Sequence, residues 1–180
     1  AYEAAKGKSK VGTTGKGIGP TYSDKAARIG LRVGDIENDF APKYEALKAR
    51  HLQILADLGF TDFDITEEEK KWMEGVEYMR KFHLSNTEQE INRALAEGKS
   101  VLAEGAQGSL LDIDHGTYPF VSSSSTTAGG VCTGLGVAPN TIRRVYGIFK
   151  AYSTRVGSGP FPVELFDETG DTIRHIGNEY

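Results

Sequence analysis

Four glycines within eight residues, Gly12, Gly15, Gly17 and Gly19, form a hydroxyl-bearing turn that leads straight into Pro20-Thr21-Tyr22-Ser23-Asp24-Lys25-Ala26-Ala27-Arg28. Glycine reaches positive φ without steric cost, so such a turn can crowd backbone N–H groups around an anion. Lys25, Arg28 and Arg32 follow at three- and four-residue steps, which predicts one cationic helix face beside the turn. The pair reads as a grip for phosphate; the plainer alternative is a surface loop ahead of an ordinary charged helix.

Two familiar phosphate loops fail on this stretch. A Walker A loop needs a glycine, four further residues, and then Gly-Lys-Ser/Thr. For Gly15-Lys16 the leading position is Lys10, and Gly17 stands where the hydroxyl belongs; for Gly7-Lys8-Ser9 the leading position is Tyr2. The dinucleotide fingerprint fails too: Gly15-Lys16-Gly17-Ile18-Gly19 is one residue short and no apolar strand precedes it.

The segment resembles the second signature of the adenylosuccinate synthetases, carried by Gly17-Ile18, Gly19-Pro20, Tyr22, Lys25 and Arg28. The likeness continues through Gly30-Leu31-Arg32-Val33-Gly34-Asp35 and resumes at Glu104-Gly105-Ala106-Gln107-Gly108. It then covers Leu111 to Phe120, Ala128-Gly129-Gly130-Val131, Lys150 to Gly157, Gly159-Pro160-Phe161-Pro162 and Gly177-Asn178-Glu179. The resemblance implies a GTP-dependent ligase that joins IMP to L-aspartate on the route to AMP, with Mg2+ as cofactor. It also implies an α/β fold: part of a large mixed or parallel sheet with flanking helices, in a P-loop-NTPase-like arrangement. Enzymes of this family are well over twice this length, so the chain is expected to be a central fragment. The family's catalytic aspartate and histidine and the lysine near GTP would precede it. The aspartate-receiving loop and the guanine-reading segment would follow, leaving the fragment inactive alone.

Composition narrows the setting. With 22 glycines and 38% hydrophobic residues among 180, much of the chain should be functional loop. A net charge of −4 gives no reason to expect nucleic acid, whose phosphates favour a basic surface. Cys132 is the single cysteine, which excludes an internal disulfide and fits a reducing, cytoplasmic setting. No apolar run is long enough to span a membrane, so no membrane partner is expected.

Three zones follow from periodicity and glycine content: residues 1–35 with the loop and basic helix, 36–98 helical, and 99–180 with sheet and loops. In the second, Tyr44, Leu47, His51, Leu55 and Leu58 form one stripe that Gly59 ends. Capping boxes at Thr66 with Glu69 and at Thr87 with Glu90 predict two more helices, carrying Trp72, Val76 and Met79, then Ile91 and Leu95, with Gly98 as the stop. In the third zone Ser100-Val101-Leu102-Ala103 reads as a buried strand that ends in Glu104-Gly105-Ala106-Gln107-Gly108, where ligands of open sheets gather, and Val145 to Tyr152 reads as a second strand.

The resemblance assigns roles residue by residue. Thr14, Arg28 and Ser122 fall on the family positions that contact the 5′-phosphate of IMP, Arg28 reaching across a homodimer into the partner's site. A guanidinium can straddle phosphate oxygens where an ammonium cannot; a plainer role for Arg28 is a surface ion pair with Asp24. Ser122 stands where the family usually has threonine, and Ser125 where asparagine is common. Gln107 matches the glutamine beside the reacting purine carbonyl, and Lys25 matches a lysine essential to activity. Asp112, Asp114 and His115 invite a metal reading, but an extended segment would aim the aspartates opposite to His115, so hydrogen bonding within a pocket wall is expected and no metal ligand is assigned. Arg155 fits either a nucleotide contact or a loop tether. The competing class is a stand-alone module that binds a nucleoside monophosphate or dimerises without catalysis.

Overall fold

The computed structural model describes residues 1–178; Glu179, which closes the Gly177-Asn178-Glu179 string, and Tyr180 lie outside the described residues. The chain divides into two compact units. One comprises residues 1–7 and 17–101, the other residues 8–16 and 102–180.

The first unit is helical: α1 (Tyr2–Ala5), α2 (Ile18–Ala27), α3 (Phe40–Asp57), α4 (Thr66–Met79) and α5 (Thr87–Ala96). Tyr44, Leu47, His51 and Leu55 on α3, and Leu58 at its C-cap, are all half-buried, as their spacing predicts. The helix ends in a Schellman motif: Gly59 sits at φ 81°, its N–H donates to Ala56 O, and Phe60 N–H donates to Leu55 O. Gly98 closes α5 the same way at φ 77°, with Lys99 N–H donating to Ala94 O. Ile36 and Val76 are the buried apolar residues of this unit. In the same unit Phe40, Tyr44 and Trp72 stack on one another at centroid separations of 5.0 to 5.8 Å. The Arg80 guanidinium donates to Ile36 O and ties the end of α4 to that core.

Three expectations need correction here. Both predicted capping boxes are displaced by a better acceptor one or two residues earlier. Asp64 Oδ1 accepts from the Thr66 N–H at 2.9 Å and from its hydroxyl at 2.6 Å, while Glu69 turns instead to Tyr44 and Lys48. At α5 the cap is Asn86, whose Oδ1 accepts from Gln89 N–H, and Glu90 pairs with Arg93. Nor do Lys25, Arg28 and Arg32 share a helix face. The helix stops at Ala27, Arg28 takes the left-handed conformation at φ 64°, and Arg32 is extended at φ −112°, ψ 154°.

The second unit holds α6 (Gly130–Leu135) and α7 (Glu168–Gly177), with loops between them. The two expected strands are the largest correction to the fold. Among the described residues no strand forms, and Ile148 and Phe149 stand 92% exposed. A strand exists only within a ladder, and no second segment hydrogen-bonds beside either run. The expected sheet is therefore absent from the described residues, which are helix and loop.

Candidate functional site

In the second unit the loops are organised by one carboxylate. Asp112 is fully buried, and its two oxygens accept five hydrogen bonds. Oδ1 takes the N–H groups of Asp114 and His115, both at 3.0 Å. Oδ2 takes Thr126 N–H at 2.7 Å, Thr127 N–H at 3.3 Å and the Ser125 hydroxyl at 3.0 Å. Burial is the largest single influence on this carboxyl and pushes its pKa up. The donors from His115, Asp114, Thr126 and Ser125 together outweigh it and hold the group well below the ordinary carboxylate range. The expected buried hydrogen bonding is present, through a turn rather than an extended segment: Asp114 and His115 contribute their amides and leave their side chains exposed. Ser125 fills one of the five donor positions.

The hydroxyl run Ser122 to Thr127 is the hub for the other loops. Ser122 N–H donates to Leu111 O at 2.8 Å, and its Oγ accepts from Ser124 N–H at 3.2 Å. Thr126 Oγ1 donates to Gly108 O at 2.7 Å and so fixes the turn that carries Gln107. Gln107 is held at φ 65° with its side chain exposed and without a hydrogen bond among the described residues. The glycine-rich turn joins the same unit: Ser158 N–H donates to Val11 O at 3.1 Å. Within that turn Thr13 Oγ1 accepts from Gly15 N–H at 3.3 Å, whereas the Thr14 hydroxyl is exposed and makes no bond among the described residues. Arg155 Nε and Nη2 donate to Ser158 O at 3.1 and 2.7 Å, and Nη2 also donates to Phe120 O at 3.2 Å. Of the two roles open to Arg155, the loop tether is the one its contacts fill.

Lys25 and Arg28 belong to the first unit. Arg28 occupies the position at which α3 and α5 carry glycine: its N–H donates to Lys25 O at 3.1 Å and Ile29 N–H donates to Asp24 O at 3.0 Å. The alternative of a pair between Arg28 and Asp24 is replaced, because the buried Asp24 carboxylate lies 2.7 Å from His51 Nε2 on α3. Sequence reasoning placed His51 on an apolar stripe and missed this partnership. A histidine on such a stripe, with a carboxylate inside the signature, was the available signal. Arg28 lines an open cleft of about 460 Å³ with Arg32, Asp35, Lys43 and Arg50. Asp35 is ion-paired with Lys43 there, and that bond, with the Arg32 N–H at 2.7 Å, lowers its pKa. Lys25 lies over the Tyr22 ring at 5.8 Å from its centroid.

Among the described residues no three His, Cys, Asp or Glu side chains converge as a metal cluster. No helix among them is long and apolar enough to cross a membrane.

Comparison with known proteins places this geometry. The family model for adenylosuccinate synthetase matches residues 1–180. The adenylosuccinate synthetase of Bacteroides thetaiotaomicron is 64% identical over 180 residues, covering 100% of this chain and 42% of that protein. That of Porphyromonas gingivalis is 60% identical, covering 100% and 43%. A solved structure of fully ligated adenylosuccinate synthetase from Plasmodium falciparum superposes with a TM-score of 0.86 at 39% identity, covering 99% of this chain and 42% of that one. The chain spans about two fifths of the length of the curated relatives it matches. With the family model matching from end to end and the fold matching at that score, the chain belongs to the adenylosuccinate synthetase family.

Proposed function

We propose that the protein carrying this segment ligates IMP and L-aspartate to adenylosuccinate at the expense of GTP, and that this segment supplies the IMP grip. The γ-phosphate of GTP passes to the 6-oxygen of IMP, and the aspartate amine then displaces that phosphate, releasing inorganic phosphate. Gln107 lies against the purine, where an amide that donates and accepts can follow an oxygen whose charge changes. The hydroxyls of Thr14 and Ser122 take the 5′-phosphate, and Arg28 comes to it from a second copy in a homodimer. Lys25 is assigned to the catalytic set by family likeness alone. By family likeness, most of the Mg2+ ligands lie outside these residues, and GTP is the co-substrate.

One observation carries this reading: Arg28 and Gln107 both sit in the left-handed region, at φ 64° and 65°, with exposed side chains that make no hydrogen bond among the described residues. A non-glycine residue there costs about 1–2 kcal/mol; Asp39 and Asn178 share the conformation at helix boundaries, so it supports the reading only together with the match of Arg28 and Gln107 to the family's IMP positions.

The test uses the full-length protein. Thr14→Ala and Ser122→Ala should each weaken IMP by about tenfold, the worth of a hydrogen bond to a charged group, while inosine, which lacks the phosphate, is unaffected. Gln107→Ala should instead lower turnover by about a hundredfold. Unchanged IMP affinity in both hydroxyl variants would remove the phosphate assignment, and tight IMP binding by a full-length protein that forms no adenylosuccinate would favour the non-catalytic module.

A further inference from the structure

Two loops carry the hydroxyls assigned to phosphate, and neither belongs to a helix or a sheet. Thr14 lies three residues beyond Val11, and Ser122 lies two beyond Phe120. Those two anchor residues are joined through one side chain. Val11 O accepts from Ser158 N–H, Ser158 O accepts two bonds from the Arg155 guanidinium, and Phe120 O accepts a third. The backbone is shaped to admit this fan. Gly159 sits at φ 122°, and a Cβ there would collide with the Arg155 guanidinium and lie 2.7 Å from Phe120 Cβ. Gly12 is equally confined: its Cβ would stand 3.0 Å from Gly157 Cα and 3.1 Å from Ser158 N.

We propose that Arg155 is a positioning residue for the monophosphate: it sets the separation of the Thr14 and Ser122 hydroxyls without touching the ligand. The inference rests on the phosphate assignment above. A spacer of two or three residues reaches at most about 7–11 Å, so each hydroxyl is leashed to an atom that the guanidinium or its Ser158 partner holds. The fork matters because two carbonyls in different directions need two N–H vectors in one plane, which an ammonium on a flexible stem does not fix. Misplacing one of two phosphate ligands by an ångström forfeits the gain from holding both, an effect on the order of a hundredfold.

In the full-length protein, Arg155→Gln should raise the dissociation constant for IMP about 10- to 100-fold. Inosine affinity and the KM for GTP should stay within about twofold, since neither needs the hydroxyl spacing. Arg155→Lys should fall between Gln and the natural residue, and free guanidinium should partly restore IMP binding to Arg155→Ala. A purely structural arginine would lower IMP and inosine affinity together, and that outcome overturns the proposal, as does a folded Arg155→Gln protein with unaltered IMP affinity. If the Gln variant does not fold, the ratio of IMP to inosine affinity in Arg155→Lys gives the same reading: an unchanged ratio refutes, a reduced ratio supports. Failure of the phosphate assignment itself is seen separately, in Thr14→Ala and Ser122→Ala.

Discussion

The two units hold themselves together by different physics. In the first, helices satisfy their own backbones and carry apolar stripes, with Ile36 and Val76 buried and three rings stacked on one another. In the second, Val137 is the buried apolar residue, and the fully buried side chain is a carboxylate, Asp112, wrapped in five donors. Apolar packing tolerates modest exchange of shape, because its contacts are many and individually small. A carboxylate hub does not, because each donor it loses is a buried polar group left without a partner. The candidate ligand residues divide along that line: Gln107 and Ser122 sit on loops tied to the polar hub and Thr14 on a turn held through Ser158, while Lys25 and Arg28 lie at the end of a packed helix.

The largest effect should follow from breaking the hub. Asp112→Asn is nearly isosteric, yet it turns one acceptor oxygen into a donor facing other donors, so it should damage the second unit as severely as Asp112→Ala. The expected outcome is loss of all detectable IMP binding by the full-length protein, with the amides of Asp114, His115, Thr126 and Thr127 becoming fast in hydrogen exchange while those of α3 stay protected. Protection retained at Thr126 in the Asn variant would mean that the loops are held by something other than the charge. The same group sets an acid limit. Its folded pKa is depressed, so its contribution is fully present above the unfolded value of about 4 and disappears as the pH falls below that toward the folded pKa. Acid titration followed by exchange should release the second unit's loops, and Asp112→Ala should abolish this step.

A smaller and opposite effect is expected at the end of α2. Three helices of the first unit close with the same pair of backbone bonds, two with glycine in the left-handed position and one with Arg28. Arg28→Gly should therefore stabilise the protein, by about 1 kcal/mol in chemical denaturation, while lowering IMP affinity. A gain in stability with affinity intact would separate the strain from the ligand. A loss of stability would show that the Arg28 side chain contributes more to the cleft with Asp35 and Arg50 than its conformation costs.

These contrasts also explain what the sequence disclosed. The stripe on α3 and the glycines that end α3 and α5 were legible because each rests on residues within one or two turns. The displaced caps were a contest between neighbours: Asp64 and Asn86 each outcompeted a threonine that a two-residue pattern preferred. The ring around Asp112 closes across as many as 15 residues and the Arg155 fan across 35, and no local rule joins such positions. Strands failed for the same reason, since a short apolar, β-branched run marks a segment fit for a sheet but supplies no neighbour to pair with. The candidate ligand residues were legible through family resemblance, which names positions. The left-handed backbones and exposed side chains of Arg28 and Gln107 became visible only in three dimensions.

The smallest expected effect is spectroscopic, and it places the first unit at the alkaline end of the scale. Tyr44 is half-buried in the ring stack, and its hydroxyl donates to Glu69 Oε1 at 2.7 Å, an oxygen that Lys48 Nζ also approaches at 2.6 Å. Burial first, then the bond to Glu69 and the charge of that carboxylate, push the Tyr44 pKa up to about 12. A raised folded pKa means that the contribution is fully present below the unfolded value of about 10 and is lost as the pH rises through the folded one. Tyrosinate absorbance should therefore show one of the eight tyrosines ionising late, and Tyr44→Phe should remove that late step. Glu69→Gln should bring it to lower pH, because the neutral amide keeps an acceptor but withdraws the charge that opposes tyrosinate. If the late step survived in Tyr44→Phe, it would belong to another ring. The contrast between an acid-sensitive carboxylate hub and an alkali-sensitive aromatic stack would then lose its second half.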